Sequence, residues 1–67
     1  MPSKVVEKIV TLTYDEFCVL RATGYSRYEL EVLACEHLNV AREDIMDVEF
    51  DYHLTYKVYV RIDVCGH

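Results

Sequence analysis

Three cysteines and three histidines are the residues of this 67-residue chain that could ligate a metal or drive nucleophilic chemistry, and they form two Cys-x-His spacings, Cys35-Glu36-His37 and Cys65-Gly66-His67. A structural zinc site takes four ligands, supplied as two short-spaced pairs. Cys35 and His37 fall within a helical pattern, where residues two apart point about 200° away from each other, so they do not share a metal. Cys65 and His67 stand at the C-terminus without a second pair to complete a tetrahedral set. A cysteine nucleophile, Cys18 or Cys35 with His37 or His53 as base, would need a stabilised thiolate and a backbone cradle for the developing oxyanion. Both cysteines lie in apolar stretches that keep a thiol inert, and Gly24 and Gly66 are the only glycines. The acid pairs Asp15/Glu16 and Glu43/Asp44 read as first-turn helix or loop carboxylates, since a general acid needs an enclosing pocket to raise its pKa. His37 near a helix end and His53 beside a turn have ordinary capping and solvent-exposed roles. The residues therefore predict no catalytic group, no metal ligand and no cofactor, and the chain is expected not to be an enzyme.

Length and charge bound what remains. With 52% hydrophobic and 28% charged residues the chain belongs to the globular class. A chain this short buries only roughly 60% of the surface its unfolded form exposes, so the core is thin and self-association would help it. The formal net charge of −5 disfavours contact with nucleic-acid phosphates or an anionic membrane surface. An odd cysteine count, no secretory leader and no bilayer-length apolar run lead us to expect a cytoplasmic protein with reduced thiols.

The elements that position these residues are legible as a β-α-α-β-β order in a single domain, residues 1–67. Residues 4 to 13 are dense in β-branched types and form a strand, with Val6, Val10 and Leu12 on one face and Val5, Ile9 and Thr11 on the other. Apolar residues on both faces predict a central or doubly covered strand. Thr13-Tyr14-Asp15-Glu16 fits a capping box and opens a short helix that turns Phe17, Leu20 and Cys18 inward and stops at Gly24. The stretch from Phe17 to Ala22 also fits a strand. Ser26-Arg27-Tyr28-Glu29 is a second capping box, opening a longer helix to about Leu38 with Asn39 as its stop. That helix carries two apolar arcs. Leu30, Leu33, Ala34 and Leu38 should pack on the sheet, while Tyr28, Val32 and Cys35 either meet the short helix or are offered to another chain.

From Asp47 the period changes to two. Val48, Phe50 and Tyr52, then Tyr56, Val58, Val60, Ile62 and Val64, alternate with polar residues, predicting two half-buried strands joined through His53-Leu54-Thr55 as an antiparallel hairpin. This reading puts Tyr52 and Tyr56 in the core and Tyr59 on the outward face, near Val5 and Ile9 if the strands are neighbours. The expected fold is α+β, a three-stranded antiparallel or mixed sheet with one long and one short helix on one face.

Strand, helix and strand hairpin in about this length resembles the layout of dodecins, small flavin-binding proteins that assemble into hollow shells. The resemblance is one of element order. The chain has no Trp, hence no equivalent of the aromatic that stacks on their flavin, and it carries an extra short helix, so no residue is carried over. The layout does imply one alternative, a homo-oligomeric small-molecule binder whose pocket lies between subunits.

The function best matched to these features is a non-enzymatic protein-binding module, a self-associating accessory regulator or phage-type inhibitor. Two groups of residues would carry it. Val5, Ile9 and Tyr59, together with Tyr28 and Val32, are apolar surface left over for association, which leads us to expect a homo-oligomer. Glu43, Asp44, Asp47, Glu49 and Asp51 place five carboxylates within nine residues, opposite only Lys57 and Arg61, and suit a basic site on another protein.

Overall fold

A computed structural model describes residues 2–64 of the chain. Its elements are β1 (Ser3–Thr11), α1 (Tyr14–Ala22), α2 (Arg27–Leu38), a short 3-10 turn at Arg42–Asp44, β2 (Ile45–Glu49) and β3 (Thr55–Asp63). The three strands form one antiparallel sheet in the order β1-β3-β2, so the fold is α+β with the expected β-α-α-β-β order. Cys65 and His67 lie outside the described residues.

β3 takes the centre because its strict alternation gives it one face to bury and one to expose along its whole length. Tyr56, Val58 and Val60 point into the core, and β1 pairs with β3 from Ser3 opposite Asp63 to Thr11 opposite Thr55. The short β2 pairs with β3 only between Val60 and Lys57. Ile45 stands opposite Val60 and Asp47 opposite Tyr59, which leaves Met46 as the extra residue of a bulge. The bulge restores the alternation, sending Ile45 and Val48 inward and Asp47 and Glu49 outward.

Both helices lie on one face. Val10 and Leu12 from β1 and its exit, Leu20 from α1, Leu30, Leu33 and Ala34 from α2, and Ile45, Tyr56, Val58 and Val60 from the hairpin form a single buried cluster. The Tyr56 hydroxyl enters this core because it donates to the Leu30 carbonyl at 2.8 Å. Burial pushes the Tyr56 hydroxyl's pKa well up, so it stays a donor at any ordinary pH.

α1 starts where the sequence places it. The Thr13 hydroxyl accepts from the Glu16 backbone N–H at 3.2 Å, and the Glu16 carboxylate accepts from the Thr13 backbone N–H at 2.9 Å. Gly24, at φ 74°, supplies the left-handed residue after the helix, and Asn39, at φ 55°, does the same for α2.

Several expectations are corrected. β1 is an edge strand with a bare outer face, because β-branched residues favour strand geometry whether or not they are covered. Cys18 is exposed, since only Leu20 and Phe17 of α1 reach the core. Ser26 is the N-cap of α2, yet its side chain makes no capping bond. β2 ends at Glu49, and the connection Phe50–Leu54 breaks the alternation. Tyr52 takes φ 66° there and is 63% exposed rather than buried.

Glu16 has a second partner that ties the helices together. His37 Nε2 lies 3.0 Å and 2.9 Å from the two Glu16 carboxylate oxygens, joining the last turn of α2 to the first turn of α1. The Thr13 backbone N–H, followed by the His37 ring, holds the Glu16 carboxyl below its ordinary range. A lowered folded-state pKa stabilises the fold above the ordinary glutamate range, and that contribution is lost as pH falls through the folded value. Urea unfolding of Glu16→Gln is therefore expected to show a stability loss of about 1 kcal/mol at neutral pH, shrinking toward zero in acid. A loss that is constant with pH would contradict the role given to the carboxylate.

Candidate docking face

Among the described residues, no layer lies over the side of the sheet opposite the helices. Three columns of outward side chains lie on it, set by the register. β1 contributes Val5, Glu7 and Ile9, β3 contributes Arg61, Tyr59 and Lys57 beside them, and β2 contributes Asp47 beside Tyr59 and Glu49 beside Lys57. Val5 is 55% and Ile9 53% exposed, while Tyr59 is half-buried among its neighbours. The face is mixed: Val5 and Ile9 flank the exposed Glu7 along β1, Arg61, Tyr59 and Lys57 run down the centre, and β2 contributes acids.

Most of its charges are held in place. The Tyr59 hydroxyl donates to Glu49 Oε2 at 2.9 Å, and the neighbouring carboxylate raises the hydroxyl's pKa. Arg61 binds Asp44 Oδ1 at 3.0 Å, and Arg27 reaches round from the start of α2 to within 3.4 Å of Asp47 Oδ1. Glu43 and Asp51 form no ion pair among the described residues. Of the five acids read from the sequence, Asp47 and Glu49 thus lie on the bare face and Asp51 at its hairpin end. Asp44 reaches Arg61 from the 3-10 turn, and Glu43 is exposed on that turn.

At the hairpin end the face is dented. A depression of about 210 Å³ is lined by Ile9, Glu49, Asp51, Thr55, Tyr56 and Lys57. It joins the apolar and acidic margins of the face.

Tyr28 and Val32 belong to the helical layer and are separated from this face by the sheet. In their arc, Tyr28 is covered from the 3-10 turn. The Arg42 guanidinium lies 4.6 Å from the centroid of the Tyr28 ring, and Glu31 binds Arg27 at 3.1 Å and Arg42 at 3.0 Å. The two arginines hold the Glu31 carboxyl below its ordinary pKa. Cys35 in the same arc packs against the core. Burial, reinforced by the Glu31 charge, raises its thiol's pKa and keeps it protonated. Among the described residues, no group of three or more His, Cys, Asp or Glu side chains is placed to hold a metal ion. No described helix is long and apolar enough to cross a membrane.

Sequence reasoning missed Tyr25. At φ 59° just before α2, its ring meets Phe17 at 6.1 Å, Phe50 at 5.7 Å and Tyr52 at 5.0 Å between centroids, and Phe50 in turn meets Tyr56 at 5.8 Å. This cluster fixes the hairpin connection and hence Asp51 at the rim of the depression. No periodicity marks it, since Tyr25 and Phe50 both lie between regular elements.

No family model, no curated protein and no solved structure matches this chain.

Proposed function

We propose that this chain is a non-enzymatic protein-binding module that docks a segment of another protein on the bare face of its sheet. The observation that carries the reading is the asymmetry of the two faces. One buries its apolar residues under both helices, whereas the other leaves Val5 and Ile9 more than half exposed beside Tyr59. Exposed β-branched side chains grouped around a half-buried aromatic mark an association surface more often than a solvated one.

The size of the face selects the occupant. Nine residues at 3.4 Å and three strands at about 4.8 Å give a surface of about 30 by 14 Å, on the order of 400 Å². A standard interface takes about 800 Å² from each partner, so the face is too small for a firm sheet-on-sheet dimer and suits a single segment about as wide as one helix. Charge agrees, since the acidic margin supplied by Asp47, Glu49 and Asp51 favours a basic partner over a second copy of an acidic chain. Light scattering at micromolar concentration separates the two occupants. A mass of 7.9 kDa leaves the face free for a partner segment. A stable dimer that dissociates on Ile9→Asp would put a second copy there instead and overturn the choice of occupant.

A further inference from the structure

We infer that the depression at the hairpin end of the bare face is the anchor point of the docked segment and receives an arginine or lysine side chain from it. The inference rests on the docking role proposed for the face and adds the chemistry of the residue that is gripped. Its walls are of two kinds. Ile9, 53% exposed, offers an apolar surface for an aliphatic stem, and Glu49 and Asp51 on the other side offer carboxylates for the cationic head. One Glu49 oxygen is taken by the Tyr59 hydroxyl at 2.9 Å, a bond that orients the carboxylate and leaves its other oxygen without a bond among the described residues. Asp51 forms no ion pair among the described residues, so its charge is available.

Lys57 is the cation already on the wall, and its ammonium makes no ion pair among the described residues. The depression therefore carries two negative charges against one positive, a net attraction for a single incoming cation. An apolar side chain would leave both carboxylates partly desolvated without a partner, and an acidic one would add a third like charge. A long cationic side chain satisfies both walls. The edge of β1 is a poor rival place for the segment to attach. Lys4 and Lys8 are exposed on the helix side of that edge, and inward-pointing charges of this kind obstruct strand addition.

The test is a titration of isotopically labelled protein, followed by amide chemical shifts, with two soluble probe peptides of alternating leucine and arginine or leucine and citrulline. Citrulline keeps the shape of arginine without its charge. The arginine peptide is expected to shift Ile9, Glu49, Asp51 and Lys57 and to bind roughly five- to tenfold more tightly than its citrulline twin. The double variant Glu49→Gln/Asp51→Asn should abolish that preference, Lys57→Met should strengthen it, and Glu43→Gln, away from the depression, should leave it unchanged. Equal binding of the two peptides on the face would overturn the cationic anchor while leaving the docking face standing. A loss in Glu43→Gln as large as in the double variant would reduce the preference to diffuse charge attraction and also overturn it. Shifts that avoid the bare face altogether would overturn the docking reading itself.

Discussion

Leu20→Ala is expected to leave the chain largely unfolded at room temperature. Leu20 is the one residue of α1 that is completely buried, and it lies in the same cluster as Val10, Leu30 and Val58. Truncating a buried leucine costs about 3–5 kcal/mol, the lost transfer free energy plus that of the cavity left behind. A single core in a chain of this size supplies only about that much net stability. The far-ultraviolet dichroism of the variant should therefore lack a cooperative melt, whereas Leu20→Met, which conserves volume, should retain one. A Leu20→Ala protein that melts cooperatively within a few degrees of the parent would mean that α1 contributes little to the core.

Ile9→Thr is expected to do the reverse, preserving the fold and weakening binding. Ile9 is outward on an edge strand opposite Lys57, so threonine, also β-branched, keeps the strand's preferred geometry and changes stability by no more than about 0.5 kcal/mol. The same change removes the apolar wall of the depression and much of the exposed apolar area of β1. A bound segment that covers Ile9 loses on the order of 1–2 kcal/mol, roughly a five- to thirtyfold weakening. Isothermal titration of a bound peptide against the parent and the variant, with urea unfolding alongside, reads both quantities. Unchanged affinity would place the segment elsewhere.

How far the sequence reveals this molecule depends on whether a signal is local. The Thr13 and Glu16 capping box is legible because its two hydrogen bonds join residues three apart, and Asn39 is legible because few residues tolerate a left-handed helix stop. The alternation of Val58 and Val60 with Tyr59 and Arg61 is equally local and places β3 correctly. The position of β1 is not local. Val5 and Ile9 report strand preference, and only the choice of β3 as the centre decides that one face of β1 stays bare. Tyr52 follows the alternation of Val48 and Phe50 on paper, yet β2 has already ended at Glu49, and the Tyr25 cluster sets the connection instead. Of the candidate site, Val5, Ile9 and Tyr59 could be grouped because their periodicities agree once β1 and β3 are neighbours. That Arg27 would reach Asp47 and Arg42 would cover Tyr28 depends on the turn at Arg42–Asp44, for which the sequence holds no periodic signal.

The most direct test of the docking face leaves the sequence of the bound segment open. A random library of twelve-residue peptides would be selected on the immobilised protein, and the enriched peptide mapped on the labelled chain by amide shifts. The account predicts a footprint on Val5, Glu7, Ile9, Lys57 and Tyr59, and a basic residue recurring among the selected sequences. A footprint on Tyr28 and Val32 of α2, with the bare sheet face unperturbed, would contradict it.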